Sequence, residues 1–150
     1  MTTDTTHPLE TEIAGLLGEL SAVQRDLLDT LTRKRSMIAT GDGAALTTIA
    51  ADEQALLSRL QACQERRQRL LDQAAAEGLP ADSIRTLAES LPTESRKRFR
   101  GDVEESQHRS RQLLNESLTN YVLVQRTLLH LSQLVEIIAT GGRMKPTYGN

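Results

Sequence analysis

Apolar residues return along this chain at steps of three and four, the spacing that keeps side chains on one side of an α-helix. From Leu9, the series Ile13, Leu16, Leu20, Val23, Leu27, Leu31 and Ile38 predicts a first helix over about residues 8 to 40. Pro8 suits its opening turn, where the missing N–H is not needed. The segment TGDGAA ends it: Gly41 is free to take the left-handed closing conformation, and Asp42 can cap the amides of the next helix. The second helix has the most regular pattern, with Leu46, Ile49, Glu53, Leu56, Leu60, Cys63, Arg67, Leu70 and Ala74 spaced alternately three and four. Its two charged members, Glu53 and Arg67, either fix register or meet a partner at an open edge, or lean to solvent at the margin of the seam.

Gly78, Leu79 and Pro80 stop this helix near Glu77 by joining a C-terminal cap to a helix breaker. Asp82 to Leu91, bounded by Pro80 and Pro92, predicts a short elbow helix capped by Asp82 or Ser83. A third long helix follows, with Thr93 as a cap candidate. Its first half, TESRKRFRGDVEESQHRSRQ, is polar and reads as solvated, and Gly101 weakens its middle by about 1 kcal/mol relative to alanine. Its second half, Leu113 to Ile138, is much more apolar and ends at Gly141 and Gly142. There Leu114, Tyr121, Val124, Leu128, Leu131, Val135 and Ile138 form one stripe, expected to be core. Leu118, Val122 and Leu129 flank that stripe on one side, and Leu123 and Leu134 on the other. Packing against two neighbours in a bundle accounts for part of this excess, and the remainder is either a homodimer interface or a groove for another chain.

The predicted fold is therefore all-α: an elongated antiparallel bundle or coiled coil of three long helices with a short connecting helix. The two-residue link forces the first two helices into a hairpin, and a 33-residue helix spans about 50 Å, which makes a rod. One domain over residues 1–150 is expected, with 1–7 and 141–150 as flexible tails.

Composition narrows the chemistry. Eighteen basic and 20 acidic residues nearly cancel, so net charge calls for no nucleic-acid partner. The runs ERRQR (65 to 69) and RKRFR (96 to 100) are interleaved with acids and read as solvated ion pairs. The opening MTTDTTHPLE lacks a basic, apolar leader, and no stretch reaches the ~18 apolar residues of a membrane span, so a cytoplasmic protein is expected. Cys63 is the single cysteine and falls on the apolar side of its helix, which makes it a buried, inert thiol. Glu105 and His108 give one Glu-x-x-His motif without the second copy a helical di-metal site needs, and His130 sits among leucines. With no phosphate loop and no nucleophile–base pair, neither enzyme activity, metal nor cofactor is expected.

The order and separation of several positions resemble the FlgN-like flagellar export chaperones over most of the chain. The segment joining the first two helices carries Leu31, Lys34, the Gly41-Asp42 turn, Leu46, Ile49, Glu53, Leu56, Leu57, Leu60, the Arg66-Arg67 pair and Leu70. A second block is LLNESLTNYVLVQRTLLHLSQL, followed by a helix-ending Gly and the late pair Tyr148-Gly149. The resemblance implies a cytoplasmic chaperone that holds hook-filament junction proteins of the FlgK and FlgL type and delivers them to the flagellar type III export apparatus. The apolar C-terminal helix then offers Leu118, Tyr121, Val122 and Leu129 as the client surface, and Tyr148 as a contact for the export gate. The competing expectation is a structural or adaptor coiled coil that closes a homodimer and has no export role.

Overall fold

The computed structural model describes residues 8–140, without the side chains of some residues from Thr127 onward. The elements are α1 (Pro8–Thr40), α2 (Gly43–Ala76), α3 (Ile84–Glu89) and α4 (Thr93–Thr140), with no strand among the described residues. The chain is all-α, as its periodicity requires. The tails expected at 1–7 and 141–150, and with them Tyr148, lie outside the described residues.

Local chemistry sets each boundary. Gly41 has a φ of 72°, its N–H donates to the Ile38 carbonyl, and the Asp42 N–H donates to that of Met37. This paired closure satisfies two orphan carbonyls at the end of α1. Asp42 then starts the next helix, its Oδ1 accepting from the Ala45 amide at 3.0 Å. Gly78, with φ of 76°, closes α2 in the same way: its N–H reaches the Ala75 carbonyl and the Leu79 N–H that of Ala74. Ser83, the second of the two cap candidates, caps α3 by accepting from the Thr86 amide at 3.0 Å. Thr93 is the first residue inside α4, and its Oγ1 accepts from the Arg96 guanidinium instead of capping the helix.

α1 is the central element. Against it packs α2, and all nine positions of the α2 seam are buried or half-buried. Ion pairs flank this seam: Arg59 spans Glu19 (3.1 Å) and Asp26 (3.2 Å), and Lys34 meets Glu53 at 3.0 Å. Exposed pairs of this kind contribute about 0–1 kcal/mol each, so burial does most of the holding. α4 lies on another side of α1 and runs parallel to it, because Gln24 meets Ser106 and Leu31 meets Asn120, at separations of 82 and 89 residues. With 48 residues against 33, α4 is about 70 Å long, and roughly its last ten residues run past the α1–α2 turn.

The core is concentrated at the opposite end, where α3 closes the bundle. Leu9, Ile13, Leu16 and Leu17 of α1 cluster there with Leu70, Leu71 and Ala74 of α2, Ile84 and Leu87 of α3, and Phe99 and Val103 of α4. This corrects the expectation that the first half of the last helix is solvated: Phe99 is 0% exposed and Val103 is buried. A lone aromatic inside an arginine run is submerged while the arginines around it stay at the surface, with Arg98 stacked 4.5 Å from the ring centroid.

Candidate functional site

A three-helix bundle normally brings each helix against the other two. Here α2 and α4 barely touch, although both pack on α1. Between them lies a cleft of about 750 Å³, floored by Leu16, Leu17, Leu20 and Gln24 of α1 and stopped at one end by Ser83, Ile84 and Arg85. On the α2 side it is lined by Leu60, Cys63, Gln64 and Arg67, and on the α4 side by Val103, Ser106, Gln107, Ser110 and Leu113.

The face that α4 turns to α1 is partly polar. Gln24 Nε2 donates to the Ser106 carbonyl at 3.1 Å and to Ser110 Oγ at 3.0 Å. Farther along, Arg35 pairs with Glu116 at 3.2 Å, and Asn120 Nδ2 donates to the Leu31 carbonyl at 3.0 Å. Three acceptors of this seam, Gln24 Oε1, Glu116 Oε2 and Asn120 Oδ1, are buried with no hydrogen-bond partner. Each such orphan costs about 1–3 kcal/mol, so the α1–α4 contact is held less firmly here than at the Phe99 end.

A stripe containing Ser106, Leu113 and Asn120 faces α1, and the described part of the apolar stripe expected to be core is in the main left outside it. Leu114, Tyr121 and Ile138 are exposed and Val124 is half-buried, while the side chains of Leu128, Leu131 and Val135, like those of His130 and Leu134, lie outside the description. The four residues expected to form the client surface are all at the surface: Leu118 is 54% exposed, Tyr121 62%, Val122 46% and Leu129 48%. Single exposed apolar residues are ordinary, but a line of them is not. From the cleft-lining Gln107 and Ser110, steps of three, four and seven lead through Leu114, Leu118, Tyr121 and Val122 to Leu129. The uncovered flank of α4 thus continues the cleft wall. On α2 the series Arg67, Gln64, Leu60 carries on at the same spacing to Leu57, another exposed leucine, and Glu53.

Among the charged seam residues, Glu53 is half-buried and held by Lys34, whereas Arg67 is half-buried in the cleft wall without a carboxylate partner among the described ion pairs. The ion pairs expected in the basic runs are formed only in part: Arg66 reaches Glu12 at 3.8 Å, but no described ion pair involves Arg96, Lys97, Arg98 or Arg100. Cys63 is buried, and burial pushes its thiol pKa up. Glu105 pairs with Arg109 at 3.1 Å, and His108 is exposed. Among the described residues no group of three or more His, Cys, Asp or Glu side chains could hold a metal ion, and no helix is long and apolar enough to cross a membrane. Sequence reasoning placed Arg67 at a possible partner edge but did not join it with Leu60 into one wall of a cleft, nor with Leu57 farther along the same face; the signal was Leu57, an apolar residue outside an already complete seam.

Fold and surface together define an elongated helical module whose last helix keeps an apolar flank uncovered. The model of the FlgN protein family matches residues 1–150, and the chain belongs to that family, one of flagellar export chaperones. No curated protein and no solved structure matches the chain.

Proposed function

We propose that the chain is a cytoplasmic export chaperone that holds hook-filament junction proteins of the FlgK and FlgL type on the exposed flank of α4 and delivers them to the flagellar type III export apparatus. The observation that carries this reading is the continuous surface line through Leu118, Tyr121, Val122 and Leu129, on a helix whose other face is already committed to α1. Such a surface covers an amphipathic, aggregation-prone segment until export and then lets it go. Tyr148 is assigned the export-gate contact on the family resemblance alone.

The test is Leu118→Asp combined with Val122→Asp, followed by pull-down of co-expressed junction proteins. Single truncations at an interface exceed about 1 kcal/mol at only a few positions, which is why the two changes are combined. The double variant is expected to keep its helicity by circular dichroism and to lose the client. Undiminished client recovery refutes the assignment, and a loss of helicity shows this flank to be core. Light scattering on the free chain separates the homodimer reading, in which the same double change converts dimer to monomer and no junction protein is recovered at all.

A further inference from the structure

The cleft between α2 and α4 has the form of a bundle with one helix left out. Its floor is apolar at Leu16, Leu17 and Leu20, α3 stops one end, and beyond the lining residues at the other end the helical series of both walls continues to exposed apolar residues, Leu57 on α2 and Leu118 and Tyr121 on α4. Resting on the reading of α4 as a client surface, we infer that the occupant is an amphipathic helix of another protein, lying as a fourth helix between α2 and α4, with carboxylates along the border of its apolar stripe.

Charge selects those borders. The residues lining the cleft include two arginines, Arg67 and Arg85, and no aspartate or glutamate. Arg85 donates to the neutral Gln107 Oε1 at 2.7 Å, and Arg67 has no described carboxylate partner. Glu53, farther along the same face of α2, is already neutralised by Lys34. An incoming carboxylate therefore meets unpaired positive charge beside an apolar floor, where it is less screened than in open water.

Backbone chemistry selects the helix. The cleft walls are helices whose own amides and carbonyls are paired, so an extended segment would enter an apolar slot with its backbone unsatisfied. A helix brings its backbone bonds with it and packs at the usual ~8–10 Å between axes. From Val103 to Tyr121 the α4 wall runs about 27 Å, the length of roughly eighteen helical residues. A second copy of this chain fits the charge poorly, because its own uncovered α4 flank is bordered by Arg111 and carries no carboxylate at Gln107, Ser110, Leu114, Leu118 or Tyr121. The residues after α4, GGRMKPTYGN, likewise add two cations and no acid.

The test uses the full chain and two fluorescent synthetic peptides of about eighteen residues that share one leucine-rich helical stripe, bordered in one by glutamates and in the other by lysines. Anisotropy titrations are expected to show the glutamate-bordered peptide binding at least about tenfold more tightly at low salt, with the gap closing as salt rises. Arg67→Glu reverses the preference, and Leu57→Asp weakens the glutamate-bordered peptide by about tenfold or more. Equal binding of the two peptides, binding of neither, or indifference to both substitutions overturns the proposal. So does self-association abolished by Leu57→Asp, which gives the cleft to a second copy. Failure here is separable from failure of the chaperone reading: if Leu118→Asp with Val122→Asp releases the junction protein while Arg67→Glu and Leu57→Asp retain it, α4 grips the client and the fourth helix is refuted.

Discussion

Phe99 gives the sharpest test of how the first half of α4 is held, because sequence pattern and structure disagree there. Its side chain is completely buried in the cluster that joins α1, α2, α3 and α4, while Gly101, two residues on, is exposed and has nothing within 4 Å of where a Cβ would sit. Truncating a fully buried phenylalanine to alanine costs about 3–5 kcal/mol, from lost transfer energy and the cavity left behind. Against a total stability of about 5–15 kcal/mol, Phe99→Ala is expected to lower the thermal midpoint by roughly 10 °C. A small part of that loss belongs to the Arg98 stack on the ring, worth about 0.5–1 kcal/mol at an exposed site. Gly101→Ala has the opposite sign: the helix gains about 1 kcal/mol from the better helix former, with no clash to offset it. Urea unfolding followed by far-ultraviolet circular dichroism reads both. If Phe99→Ala costs under about 1 kcal/mol, a surface-like value, the arginine run is solvated throughout and α4 does not enter the core at Phe99. If Gly101→Ala destabilises, that side of α4 is covered.

Two further outcomes follow from buried polar and sulfur groups. Asn120→Leu removes an acceptor that is buried without a partner and is expected to leave urea stability unchanged or raise it by up to about 1 kcal/mol; a loss above about 2 kcal/mol would show that the bond to the Leu31 carbonyl holds the seam. Cys63 has its pKa raised by burial, so at a given pH less thiolate is present than in a free cysteine, and labelling by a disulfide reagent near neutral pH should be slow until urea unfolds the chain; rapid stoichiometric labelling of the folded protein contradicts this.

What could be read from the sequence was what local chemistry decides. The Gly41-Asp42 link, the Gly78 closure and the Ser83 cap each follow from a few adjacent residues, and each is found in place. The α2 seam was legible because its period holds without interruption over nine positions and it packs along its length on a single long helix, α1, with the short α3 as its only other substantial contact among the described elements. α4 offered two possible docking faces. The more apolar one, through Leu114 and Tyr121, was expected to be core, yet the buried one runs through Phe99, Val103, Ser106, Leu113 and Asn120. Periodicity reports how apolar groups are spread around a helix, but not which side a distant segment will cover. That choice rests on pairings such as Gln24 with Ser110, 86 residues apart, and on α3 wedging the closed end. Leu118, Val122 and Leu129 were nevertheless recognised as lying on a flank of that stripe, since an excess of apolar residues must leave some uncovered whichever face docks, whereas Tyr121 was placed in the stripe itself and is exposed.

The same choice of face explains why the molecule is built unevenly along its length. At the α3 end, four elements bury aliphatic and aromatic groups together; toward the α1–α2 turn, the α1–α4 seam includes the polar side chains Gln24, Glu116 and Asn120, each of which also buries an oxygen with no partner. An apolar seam there would have turned Leu114 and Tyr121 inward and closed the flank. The polar seam leaves them outside, next to Leu118 and the open end of the cleft. The proposed chaperone role would use this unevenness: α4 is anchored by the buried Phe99 at one end, and any free energy spent in parting α4 from α1 beyond it would be subtracted from the affinity for a client, which favours release.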